Sequence, residues 1–341
     1  MEHEHHHEER DGYEPSLLDE QEIEKTVKRK KINSDNAILW GSGIITASII
    51  LSTAIYVFAE RRIIAPAGNG TVNSKVTTTN SSLQSGALDL LQEQVIPSGG
   101  VVLPVTWGNL GQQMVNAGVI DETQFETLYA QQGGLPQDMV QMLDGSNNGQ
   151  IKMTPQNAGI ILNMLWALGL GQNSAVLTAG PMMTNGQAQP GQFASTGGWT
   201  LAVGNAMDHY AKHDFFNLTP AQEQLVESVA KNIYRPCCGN STYFPDCNHG
   251  MAMLGLLELM ASQGATADQM YQAALTVNSY WFPDTYLTIA EYLQNKGIAW
   301  NTVKPEDILS ATYSSAQGYQ HILSQIQPVQ SNQSGGNNCG S

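Results

Sequence analysis

"NLTPAQEQLVESVAKNIYRP", residues 217–236, spells out a helix with both of its ends. Thr219 is a good N-cap. Pro220 stands at the first helical position, where a missing N–H removes no bond, and Gln222 is placed to return a capping-box bond. Leu225, Val226, Val229 and Ile233 then recur at three- and four-residue spacing, and Pro236 stops the run.

Working outward, Thr266-Ala267-Asp268-Gln269 opens a second helix in the same way. Helical periodicity is predicted near 107–117, 121–131, 135–143, 155–169, 204–215, 249–263, 284–296 and 305–326. Only "GVVLPV" (100–105) and short pieces read as strand, and no fixed repeat is present. Glycine and asparagine punctuate the pattern, which fits many short helices rather than a long four-helix bundle. The fold class expected is all-α: a single N-terminal transmembrane helix followed by a multi-helix extracytoplasmic domain over 87–326. A polar linker over 60–86 precedes the domain, and a disordered tail over 327–341 follows it.

The anchor is read from "AILWGSGIITASIILSTAIYVFA", residues 37–59, a stretch without a charge. As a helix it would reach about 34 Å, enough for a hydrocarbon core of about 30 Å. A cleaved leader has a shorter apolar core nearer the start of the chain. Lys25, Lys28, Arg29, Lys30 and Lys31 flank it on one side, Arg61 and Arg62 on the other. The larger basic cluster favours a cytoplasmic N-terminus. The tail 1–36, with His3, His5, His6 and His7 among glutamates, is read as a solvated acidic segment.

The formal net charge is −15, and residues 63–341 hold seven Lys and Arg against 18 Asp and Glu. No basic stripe is available for phosphate, so a nucleic-acid partner is excluded. The partners expected are the membrane and a protein of the cell envelope.

The helix ending at Pro236 leads into "CCGNSTYFPDCNH", which holds three of the four cysteines. Cys237, Cys238, Cys247 and His249 make a set of three sulfurs and one imidazole. That donor set suits zinc, with copper as the runner-up. Asp246 is a candidate to orient His249. Two other readings stand beside this one. In the first, disulfides staple a non-catalytic interaction module. Adjacent Cα atoms lie about 3.8 Å apart, short of the roughly 4.4–6.8 Å that disulfides prefer. Cys247 would then take one of the pair, and the other would reach Cys339 or stay free. In the second, the loop is a thiol oxidoreductase, although no CxxC is present.

Other stretches carry less. His209 and His213 share one helix face at i, i+4 spacing, with Asp208 beside them. Asp144, Ser146 and Asn148 match the first, third and fifth positions of a calcium loop, but Pro155 stands where its bidentate Glu belongs. No GxSxG, HExxH or GxxxxGK[ST] occurs, so no catalytic residue is named and an enzyme is not favoured.

The run from "STGGWT" through "MDHYAKH" to "NIYRPCCGNSTYFPDCNHGMAMLGLLELMA" resembles an uncharacterised family of membrane-anchored bacterial envelope proteins. The resemblance implies an envelope setting and carries over no activity.

Overall fold

The computed structural model describes residues 86–184 and 189–332. A helix over 86–95 (α1) leads into strand β1 (Val101–Gly108). Helices α2 (Leu110–Asn116), α3 (Glu122–Ala130) and α4 (Gln137–Asp144) separate it from strand β2 (Asn148–Met153). The principal helices that follow are α5 (Ala158–Gly171), α6 (Pro220–Asn232), α7 (Asn248–Ser262), α8 (Ala267–Trp281), α9 (Pro283–Asn295) and α10 (Ala316–Leu323). Short helices of one or two turns fill the spaces between them.

Both capping boxes form. Gln222 N donates to Thr219 Oγ1 at 3.3 Å while Thr219 N donates to Gln222 Oε1 at 2.8 Å. The pair Thr266 and Gln269 does the same at 3.3 and 2.9 Å. Each box satisfies two N–H groups that the first turn would otherwise leave bare.

Among the described residues, the core is built on the crossing of α5 and α7. Both are apolar around most of their circumference and buried almost throughout, as expected of helices packed on every side. They cross where neither has a side chain. A Cβ on Gly169 would stand 2.1 Å from Met251 O, and one on Gly255 would stand 2.6 Å from Gly169 N and from Leu165 O. The backbones therefore touch, and this contact fixes the height of α7 and so the position of its first turn. At its other end, Gln263 hydrogen-bonds both ways with Thr106 of β1, through Thr106 N at 2.8 Å and Thr106 O at 2.7 Å. That side chain covers ladder groups of the strand.

The expectation of an all-α fold with one N-terminal transmembrane helix is corrected here. The strand-like stretch 100–105 belongs to β1, which pairs antiparallel with β2 from Val101↔Met153 to Gly108↔Asn148. The register shifts between Val102 and Thr106, on either side of Pro104, which has no N–H for the ladder. Leu103, Val105 and Trp107 alternate into the core, and Trp107 Nε1 donates to Met142 O at 2.7 Å. Among the described residues no helix is long and apolar enough to cross a membrane. The longest, α7 and α8, have 15 residues each, or about 22 Å at 1.5 Å per residue. The expected anchor at 37–59 lies outside the described residues, as do the tail 1–36, the linker up to 85 and Cys339.

Two predicted helices are shorter than expected. In 204–215 only Ala206–His209 is helical. Ala211 takes φ 52°, a left-handed backbone that ends the turn, and its N–H goes to Leu170 O at the end of α5. The stretch 305–326 divides into Pro305–Leu309, Ala311–Ser314 and α10. The breaks fall at Ser310 and Ser315, both extended, and Ser315 Oγ accepts from Gly318 N to start α10. Residues 328–332 run back along α9. Val329 N donates to Thr288 Oγ1 at 2.9 Å, and Ser331 donates to Asp284 Oδ1 from both N and Oγ at 2.7 Å.

Candidate metal centre

The loop between α6 and α7 is folded back on itself. Thr242 N donates to Ile233 O at 2.8 Å and Tyr243 N to Ala230 O at 3.1 Å, so the segment past Pro236 makes a narrow return. It ends at Cys247, which is the N-cap of α7. Its φ of −123° and ψ of 166° are extended, and its Sγ accepts from Gly250 N at 3.4 Å. A sulfur in that position lies at the positive end of a 15-residue helix.

Cys237 Sγ lies 3.7 Å from Cys247 Sγ, close but not bonded. A disulfide holds its sulfurs about 2.05 Å apart. Ligand atoms of Cys237, Cys247 and His249 all lie within 4.8 Å of one another, and this group could hold a metal ion. His249 is buried on the first turn of α7. Its ring meets Trp281 edge-on at 5.6 Å between centroids and Phe282 at 4.4 Å, both at the end of α8. Trp281 in turn donates from Nε1 to Ala158 O at 3.1 Å. The first turn of α7 and the end of α8 thus meet at the imidazole, and Trp281 ties the end of α8 to the start of α5.

Cys238 is placed differently. Its sulfur falls in a second set, with Asp246 and Cys247, again within 4.8 Å. It makes a weak bond to Asn240 O at 3.9 Å. Cys247 belongs to both sets, and the two differ in what already occupies them.

Arg235 occupies the second. It is 1% exposed, and its guanidinium makes four hydrogen bonds. Nε donates to Cys247 Sγ at 3.0 Å and Nη1 to Asn240 O at 3.1 Å. Nη2 donates to Phe244 O at 3.1 Å and to Asp246 Oδ1 at 2.6 Å. Asp246 Oδ2 accepts from Asn240 Nδ2 at 2.6 Å. The carboxylate therefore serves Arg235 and Asn240, not His249 as its neighbourhood in sequence suggested. Space for the guanidinium exists because residue 250 is glycine: a Cβ there would stand 2.6 Å from Arg235 Cζ and 2.7 Å from Nη2.

The electrostatics follow from these contacts. Hydrogen bonds from Cys237 and Cys238 hold the Cys247 thiol well below the ordinary thiol value, and the charge of Arg235 and a bond with His249 act the same way against burial. Cys238 goes up, to about 11. Its bond with Cys237 pulls downward, but its bond to Cys247 and its burial outweigh that pull. Burial works against the charge on Arg235, yet the three neighbouring sulfurs, Cys247 foremost, more than reverse it. These contacts favour the ionised form of Cys247 beside a permanent cation.

Arg235 and Gly250 were missed from the sequence. The one available signal was a lone arginine, one of seven cations in 63–341, standing two residues before the Cys pair. His209 and His213 do come together. His209 Nε2 is 2.9 Å from Val203 O, which can only accept, so Nε2 carries the proton and Nδ1 accepts from His213 Nε2 at 3.1 Å. Among the described residues neither belongs to a group of three ligand atoms within 4.8 Å, and Asp208 turns instead to Asn205 N. In the calcium-like stretch, Asn148 Nδ2 donates to Gly108 O and Gly145 O, so its amide ties β2 to β1. No family model, curated protein or solved structure matches the chain.

Proposed function

We propose that Cys237, Cys247 and His249 bind one soft transition-metal ion, zinc before copper. The observation that carries this reading is the sulfur–sulfur distance. Two thiolates at about 2.3 Å from a tetrahedral zinc lie about 3.8 Å apart, and Cys237 Sγ and Cys247 Sγ lie 3.7 Å apart. A thiolate–imidazole edge of the same tetrahedron is about 3.6 Å, inside the 4.8 Å that bounds the group. Two thiolates and a neutral imidazole also balance the charge of a divalent ion. Arg235 and Asp246 balance each other beside it. A hydrogen bond from Arg235 Nε to the Cys247 sulfur acts as an outer partner of the kind that tunes metal sites.

A dithiol reading has one observation in its favour. Cys247, fed by Arg235 Nε and Gly250 N, is a built nucleophile with a second sulfur 3.7 Å away. Elemental analysis with thiol counting separates the two. The metal reading expects one zinc or copper per chain and reduced thiols at Cys237 and Cys247. It also expects loss of the metal in Cys237→Ser and in His249→Ala. A metal-free protein with a Cys237–Cys247 bridge, indifferent to His249→Ala, would overturn it in favour of dithiol chemistry.

A further inference from the structure

The geometry points to an open fourth coordination position on this metal, filled from solvent by water or a small anion rather than by Cys238. The inference rests on the metal reading above and goes past it, because an open position separates a site that exchanges or activates a ligand from one that only staples the fold.

Two observations carry it. Cys238, the obvious fourth donor from sequence, falls in the set of Asp246 and Cys247, not in that of Cys237 and His249. The space shared by Cys238, Asp246 and Cys247 already holds a cation, with Arg235 Nε 3.0 Å from Cys247 Sγ and Nη2 2.6 Å from Asp246 Oδ1. A metal ion drawn toward Cys238 would approach that guanidinium and meet its charge.

The remaining directions can be sorted. Trp281 and Phe282 wall the imidazole side. The Arg235 guanidinium closes the side of Cys247. Cys237 is the least buried of the three ligands, so the open position is placed on its side. A Cys2His set with one exchangeable position is a known zinc arrangement.

The test uses cobalt(II) in place of zinc in the full chain, with azide as the anion. Thiolate-to-cobalt charge-transfer bands report the sulfurs, and the visible ligand-field bands report the fourth ligand. Azide is expected to shift the ligand-field bands saturably at one equivalent bound. Cys238→Ser is expected to keep the charge-transfer intensity and the azide response. A wild-type spectrum indifferent to azide, with charge-transfer intensity lost in Cys238→Ser, makes Cys238 the fourth ligand and overturns the inference while leaving the metal site standing. The azide arm needs no variant, so a poorly folding Cys238→Ser does not spare the inference. Failure to bind cobalt or zinc at all removes both.

Discussion

Helix α7 is served by a buried ionisable group at each end, and the two are handled in opposite ways. Arg235 lies across its first turn, 1% exposed, with four hydrogen bonds and an ion pair to Asp246. Glu258 sits on its last turns, 0% exposed, and among the described residues neither carboxylate oxygen has a hydrogen-bond partner of ordinary geometry. Burial is equal, so burial does not decide whether a charge survives. The supply of partners does. Arg235 keeps its charge because sulfur, carboxylate and carbonyl acceptors surround it. Glu258 favours its protonated form. Burial pushes its pKa well above the carboxylate range, the neighbouring Glu223 adds to that, and the Ser174 hydroxyl offers only a weak opposing pull.

Changes at Arg235, Gly250 and Glu258 test this contrast. The largest effect is expected from Arg235→Met. Asp246 and the Cys247 thiolate lose their cation, and breaking a buried pair from one side costs about 3–5 kcal/mol. Calorimetry should record a fall in melting temperature on the order of 10 °C. Adding Asp246→Asn should recover part of that loss, since it removes the stranded carboxylate. A loss under about 1 kcal/mol would mean that Arg235 behaves as a surface residue.

A smaller cost is expected from Gly250→Ala. Its methyl would meet the guanidinium, and overpacking of this kind costs about 1–3 kcal/mol. The cause is specific, so the cost should shrink when Arg235 is already Met. Equal costs in the two backgrounds, measured by denaturant unfolding, would show that the guanidinium is not what fills the space.

Glu258→Gln is read through pH. The folded pKa lies above the unfolded one, so the folded state binds the extra proton. That contribution to stability is complete below the unfolded value of about 4.3 and is lost as pH rises toward the folded value. Wild-type stability should therefore fall by up to about 1.4 kcal/mol per pH unit above pH 4.3 from this group alone. Glu258→Gln should lack that component. An unchanged pH profile would place a counter-charge beside Glu258.

What was legible in the sequence was local. Thr219 and Gln222, like Thr266 and Gln269, are three residues apart, and a capping box needs nothing from elsewhere in the chain. Serines 310 and 315 could have been read in the same way as breaks in the run 305–326. Strand β2 was hidden because only Ile151 and Met153 of its six residues are buried, too few to show alternation. The early end of the predicted helix 204–215 depends on Leu170 and Gly171 accepting from Ala211 and His213, a contact no local pattern announces. At the loop, the ligand types could be read but not their grouping. Cys238 stands next to Cys237 in sequence, yet Arg235 separates their roles. Gly250 reads as an ordinary helical glycine until the guanidinium is seen lying over it.

The central claim is that two sulfurs and one imidazole surround a single ion. X-ray absorption at the metal edge of the purified full chain tests it most directly. The expected first shell is two sulfurs at about 2.3 Å with one imidazole nitrogen and one further light atom near about 2.0 Å. A shell of oxygen and nitrogen alone, or protein that carries no metal and shows its Cys237 and Cys247 thiols joined, would contradict it.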